Sequence, residues 1–158
     1  MEKFYTQLQK MTSDSRRYCE TDLQGLYKEK FSEVFRISLS DIQSLDRADS
    51  YMKLNVGPTR VIAIAEAKFK DSDANLKYAP DMKKVLAQLI TYVHKFIISG
   101  EDEVPNVGIL EDDTYMVIFP ISKIYKYAED DSLKFGAPCK ASSNKALMDK
   151  LNSDDELN

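Results

Sequence analysis

An acidic and a basic side chain stand at the end of an otherwise apolar stretch, residues 61–68 (VIAIAEAK). Consecutive apolar residues that include β-branched members are typical of a buried strand. Because strand side chains alternate between two faces, Glu66 and Lys68 share one face with Ile64. Charged groups are rarely buried unpaired, so either these two pair at a strand end or a divalent metal ion holds the carboxylate there.

A second strand is predicted to position another carboxylate beside this pair. Residues 57–60 (GPTR) form a turn signal between a strand-like run over 49–56 and the strand over 61–70, so the two runs predict an antiparallel hairpin. Residues equally far from the turn lie opposite each other in a hairpin. We therefore expect Asp49 to approach the end of the second strand, where Glu66 lies.

Two helices are predicted before the hairpin, over residues 2–11 and 14–34, because apolar residues recur there at helical spacing. Glu20 falls on the apolar stripe of the second helix. The simplest explanation of this inward carboxylate is that a negative charge near a helix start is favourable and can reach water. Residues 35–39 alternate and predict a first strand.

A longer helix is predicted over residues 81–99, closed by Gly100. Gln88 and Tyr92 lie one turn apart on the edge of its apolar face and point the same way. They either serve the site at the strand end or form a helix edge with satisfied hydrogen bonds. His94 falls on the face away from Tyr92, and we expect it to be solvated.

The rest of the chain predicts a compact α/β arrangement. Strands are expected over 107–110 and 114–120 around an acidic turn at 111–113, followed by an ambiguous stretch over 121–140 and a short helix over 143–151. We expect one domain over residues 1–152, made of N-terminal helices (1–34), a core (35–120) and a C-terminal strand and helix extension (121–152), with a disordered tail over 153–158.

Composition sets outer limits on the function. The 158 residues, 43% hydrophobic and 30% charged, are ordinary for a globular protein, and no run approaches the ~20 apolar residues of a membrane span. The first residues lack the apolar core of a signal peptide, so we expect an intracellular location and reduced thiols at Cys19 and Cys139. A net charge of −4 does not indicate nucleic-acid binding, but carboxylates gathered for a metal ion would add such charge.

The order of these features resembles the PD-(D/E)XK nuclease superfamily, which has the restriction-endonuclease-like fold. The resemblance rests on residues 47–68, on the Gln-x-x-x-Tyr element at 88–92, which is similar to that of the RecB-like and type I restriction-enzyme branches, and on the strand and acidic turn at 108–115 (GILEDDTY). It implies a central mixed β-sheet flanked by helices.

The resemblance also implies roles for individual residues. Asp49, Glu66, the carbonyl of Ala67 and Glu20 would bind Mg²⁺ or Mn²⁺, hard ions that prefer such oxygen ligands. Lys68 would orient or activate the attacking water, and Gln88 and Tyr92 would steady the site or touch the phosphate.

The motif departs from the family pattern at one position, and its letters occur a second time in the chain. Ala48 stands where the family motif has a proline, which leaves Asp46 as an alternative to Asp49. The run PDMK at 80–83 carries the same motif letters at a helix start, where we interpret Asp81 as a helix cap.

The implied function is a metal-dependent endonuclease in which a metal-activated water attacks the phosphodiester bond, with DNA favoured over RNA as substrate. The alternatives are an RNA endonuclease with the same site and a catalytically silent nuclease-like module for binding or assembly. Because the chain has no evident sequence-reading module, specificity would come from a partner, a homodimer or an additional domain.

Overall fold

A five-stranded mixed β-sheet forms the centre of the fold. The computed structural model describes residues 2–13, 20–43, 49–68, 75–100 and 103–157. The strands lie side by side in chain order: β1 (Ile42–Gln43), β2 (Ser50–Val56), β3 (Thr59–Ala67), β4 (Val107–Glu111) and β5 (Met116–Pro120). β3 and β4 are parallel, and the other neighbours are antiparallel. The predicted α/β class with a central mixed sheet is confirmed.

Helices cover both faces of this sheet. They are α1 (Glu2–Ser13), α2 (Glu20–Phe35), α3 (Ala79–Ser99), α4 (Tyr125–Ala128) and α5 (Lys145–Ser153). Ala63, Ala65 and Ala67 of β3 face α1 and α2, whereas Ile64 packs in the cluster formed by α3 and the C-terminal helices. The alternation of side chains along β3 therefore separates two apolar cores.

The predicted hairpin is confirmed, with a tighter turn than the sequence indicated. Val56 pairs with Thr59, so the turn consists of residues 57–58 alone and Thr59 already belongs to β3. Gly57 has a φ of +61°, a left-handed conformation that glycine adopts without steric cost.

The predicted strand over 35–39 is wrong. α2 continues to Phe35, whose ring stacks on Phe31 one turn earlier at 5.9 Å between centroids. Such a pair at spacing i, i+4 stabilises a helix. Arg36, with a φ of +54°, follows the helix end, and the first strand comes later, as β1. The predicted start of this helix at residue 14 lies outside the described residues.

α3 makes the crossover between the parallel strands β3 and β4, which such strands require. It ends at Gly100 as predicted, with a φ of +62°. The interpretation of Asp81 as its cap is wrong, because Tyr78 occupies the N-cap position. Asp81 lies in the first turn and pairs with Lys84, Nζ to Oδ1, at 2.9 Å.

The chain after β5 packs mainly on α3. His94 is half-buried rather than solvated: its Nδ1 lies 2.7 Å from the carbonyl oxygen of Ala128, and its ring stacks on Phe135 at 4.2 Å. Where a disordered tail is expected, α5 extends to Ser153 and residues 155–157 form a 3₁₀ turn. Asp154 accepts a hydrogen bond from Lys126 Nζ at 2.7 Å, which ties this end to α4.

No helix in the part of the chain that the structure describes is long and apolar enough to cross a membrane.

Candidate active site

The hairpin register brings Asp49 to the carboxyl end of β3. Ser50 pairs with Ala65, so the next residue outward on β2, Asp49, lies opposite Glu66. This is the placement that the sequence predicts. Asp46, the alternative to Asp49, lies outside the described residues.

Two donors fix the carboxylate of Asp49, which is 5% exposed. The Gln24 side chain donates to Oδ1 and the backbone amide of Ala67 donates to Oδ2, each at 2.5 Å. Because the N–H and C=O of a strand residue point to the same edge, the carbonyl of Ala67 also faces the side where Asp49 lies. Gln24 is absent from the sequence prediction, although it lies four residues after Glu20 and hence on the same face of α2. The side chain of Glu20 itself, the first residue of α2, lies outside the described residues.

Glu66 and Lys68 form a buried ion pair. Glu66 is fully buried, and the Lys68 Nζ lies 2.6 Å from its Oε1. The Lys68 side chain is 14% exposed, so the pair has contact with solvent only through the lysine. The two charged residues thus pair at a strand end, as one of the two explanations from the sequence requires. A carboxylate held in this way is still able to bind a metal ion through its other oxygen.

Gln88 and Tyr92 reach the same place from α3. Burial raises the pKa of Tyr92 well above its ordinary value, and the negative charge of Glu66 raises it further. A hydrogen bond from Gln88 and the charge of Lys68 act in the opposite direction, and Asp49 adds to the rise. Tyr92 is thus close enough to Glu66 and Asp49 to feel their charges, and Gln88 hydrogen-bonds Tyr92. Tyr92 therefore stays protonated at neutral pH and can donate a hydrogen bond.

The donor set suits Mg²⁺ or Mn²⁺. Asp49, Glu66 and the carbonyl of Ala67 offer oxygen ligands, and Mg²⁺ is commonly held by one or two carboxylates together with water and phosphate oxygens. Among the described residues there is no group of three or more His, Cys, Asp or Glu side chains placed to hold a metal ion. The oxygen ligands available within the described ranges are thus Asp49, Glu66 and the carbonyl of Ala67.

A third carboxylate, predicted from the sequence to lie in a turn, lies close to this site. Glu111 ends β4, pairs with Ala67 in the sheet and is 1% exposed. Neither of its carboxylate oxygens accepts a hydrogen bond from any residue in the described part of the chain. Alternation places it on the face of α1 and α2, opposite to Glu66. An acidic residue closing the apolar run 107–110, as Glu66 closes its own run, was the signal that could have identified it.

The actual turn is made by Asp112. Its Oδ1 accepts hydrogen bonds from the backbone amides of Thr114 at 2.7 Å and Tyr115 at 2.6 Å, and its Oδ2 accepts one from Leu76 at 2.9 Å. Both oxygens are thus used to hold the chain between β4 and β5 and the segment before α3. Asp112 has a structural role.

Replacing Glu111 by Gln is expected to flatten the pH dependence of stability. Burial raises the pKa of Glu111 well above its usual range; Lys30 opposes this rise and Asp49 adds to it. The folded state therefore binds the proton more tightly than the unfolded state, and the parent loses stability as pH rises above the unfolded value of about 4.3. We expect the parent to lose about 1–3 kcal/mol of its free energy of unfolding in this way, which is the range for an unsatisfied buried polar group.

The measurement is thermal unfolding of both proteins from acid to neutral pH, with the exposed Glu129 replaced by Gln as the control. As pH rises, the melting temperature of Glu111→Gln should increase relative to that of the parent, and the melting temperature of Glu129→Gln should not. If the melting temperatures of the parent and Glu111→Gln changed with pH in parallel, ionisation of Glu111 would cost no stability.

No protein-family model, no curated protein sequence and no solved structure matches this chain.

Proposed function

We propose that this chain is a metal-dependent nuclease of the PD-(D/E)XK type, with a restriction-endonuclease-like core, that hydrolyses phosphodiester bonds in nucleic acid. The observation that supports this most is the meeting of Asp49, Glu66 and Lys68 at one end of the sheet, with Gln88 and Tyr92 beside them. A mixed sheet between helices is consistent with that core.

The bound metal ion would supply a Lewis acid and lower the pKa of a bound water, which is the chemistry that phosphodiester hydrolysis needs. Asp49, Glu66 and the carbonyl of Ala67 would hold it. Gln24 and the amide of Ala67 fix the Asp49 carboxylate before the ion arrives, so little reorganisation is needed.

The remaining side chains would act on the substrate. Lys68 is the partly exposed member of its ion pair, and its ammonium can turn from Glu66 towards a phosphate oxygen where negative charge develops. Tyr92, kept protonated by burial, would donate a hydrogen bond rather than accept a proton. Gln88 holds the Tyr92 hydroxyl in place.

DNA is proposed ahead of RNA on the family resemblance, and the same residues would serve an RNA endonuclease. The silent binding module is the second candidate. It is favoured by the tight pairing of Lys68 with Glu66.

The experiment is cleavage of circular single-stranded DNA, a plasmid and a structured RNA by the purified chain, with Mn²⁺, Mg²⁺ or a chelator. The nuclease proposal expects cutting that requires metal, and the preferred substrate separates DNA from RNA. Binding of these substrates without any cutting would favour the silent module.

A further inference from the structure

A cavity of about 650 Å³ lies between α1, α2 and the chain that joins β4 to β5. We call it the aromatic cavity, because the rings of Phe4, Tyr27 and Tyr115 line it. It opens on the face of the sheet that α1 and α2 cover, which is also the face of Glu111. Of the residues with described side chains, none that is assigned to the metal ion or the phosphate lines it.

The walls suit a flat, uncharged ring system with polar edges. Lys30 Nζ lies 4.8 Å from the centroid of the Phe4 ring and 5.1 Å from that of Tyr27. Asp112 and Asp113 also line the cavity, so its wall carries carboxylates that can accept hydrogen bonds from the amino group of a base. Phe4 and Tyr27 are 5% and 3% exposed, so Tyr115, at 41%, supplies most of the accessible ring surface among the described residues.

The aromatic cavity begins one strand away from the candidate active site. Asp112, which lines it, directly follows Glu111, and Glu111 pairs with Ala67. The cavity and Glu66 lie on opposite faces of the sheet but at the same end of it. Gln24, which binds Asp49, lies one turn before Tyr27 of the cavity wall on α2. Tyr27 donates its hydroxyl hydrogen bond to the carbonyl of Asp112, which fixes this wall to α2.

We propose that the aromatic cavity binds one unpaired nucleobase of the strand that is cut at the candidate active site. The inference rests on the proposed nuclease function and specifies its substrate as single-stranded or locally opened nucleic acid. A base inside a duplex has both faces covered and cannot enter such a cavity, whereas an unpaired base can stack on protein rings.

The test uses Tyr115, whose ring is 41% exposed and can be removed without opening the core. Tyr115→Ala deletes the ring and Tyr115→Phe keeps it. Phe35→Ala is the matched control, because Phe35 is 39% exposed and lies about 12 Å beyond Tyr27 along α2. Binding of a short labelled oligodeoxyadenylate, single-stranded or paired in a duplex, is measured by fluorescence anisotropy with Ca²⁺ in place of Mg²⁺.

We expect Tyr115→Ala to weaken single-strand binding about tenfold, as the loss of one stacked ring does. Tyr115→Phe and Phe35→Ala should bind like the parent, and duplex binding should be weaker than single-strand binding and unchanged in all variants. Equal single-strand affinity of parent and Tyr115→Ala would overturn the proposal. A loss that is the same for duplex and single strand would also overturn it, because a backbone contact or another occupant would then explain the effect.

Cleavage with Mn²⁺ is scored separately on the same proteins. If the parent cuts but Tyr115→Ala binds as tightly as the parent, the cavity inference fails and the nuclease proposal stands. If the parent does not cut, the nuclease proposal fails, while the binding comparison still decides whether the cavity holds a base.

Discussion

Replacing Glu66 by Gln is expected to lower the rate of nucleic-acid cleavage by about a thousandfold, the upper range for losing one electrostatic contact in the transition state. The substitution keeps the size of the side chain but removes the charge that would bind the metal ion. It also releases Lys68 from its ion pair, and because the lysine is partly exposed it can turn towards solvent. We therefore expect the fold to persist.

The control for this variant is supplied by the second motif-like run of the chain. Asp81 carries the same letters, PDMK, but lies on α3 and pairs with Lys84. Asp81→Asn should cut at the parental rate, and circular dichroism should show the same secondary structure for all three proteins. A folded Glu66→Gln variant that cuts as fast as Asp81→Asn would remove Glu66 from the site.

Mg²⁺ or Mn²⁺ is expected to raise the melting temperature of the parent. A ligand at a hundred times its Kd stabilises the folded state by about 2.7 kcal/mol. For a domain of this size that corresponds to about 5–10 °C. Differential scanning calorimetry in metal and in chelator measures the shift, and no shift at saturating metal would contradict a preformed site.

Asp49→Asn is expected to abolish that shift without destabilising the metal-free protein. The asparagine oxygen can still accept the amide hydrogen bond of Ala67, and the Gln24 side chain can turn its amide to accept from the new NH₂ group. Loss of the charge also relieves repulsion with Glu66 and Glu111. A melting temperature in chelator clearly below that of the parent, or a metal shift that survives, would count against Asp49 as a ligand.

The parts of the site that lie close in sequence could be predicted. The apolar run before Glu66, the turn at residues 57–58 and the strand before it are local signals, and hairpin geometry alone places Asp49 opposite Glu66. Gln88 and Tyr92 could be assigned to one helix edge for the same reason. Their orientation follows from the period of the helix.

The parts that depend on distant pairing could not be predicted. β1 is only two residues long and exists because Ile42 pairs with Met52. The apolar run 107–110 marks Glu111 as a strand end, but its burial depends on α1 and α2 lying over its face of the sheet, which is a contact between distant segments. His94 was expected to be solvated because it falls on the helix face away from Tyr92, and its neighbour Phe135 comes from a stretch without a clear pattern.

The most direct test of the nuclease proposal is the rate at which Lys68→Ala cuts circular single-stranded DNA, compared with the parent under the same Mn²⁺ conditions. Because Lys68→Ala leaves the buried Glu66 carboxylate without its ion pair, circular dichroism must first show that the variant is folded under the assay conditions. We predict cutting by the parent that disappears in chelator, and a rate for Lys68→Ala at least about a hundredfold lower. Metal-dependent cutting by a folded Lys68→Ala variant at the parental rate would contradict the account.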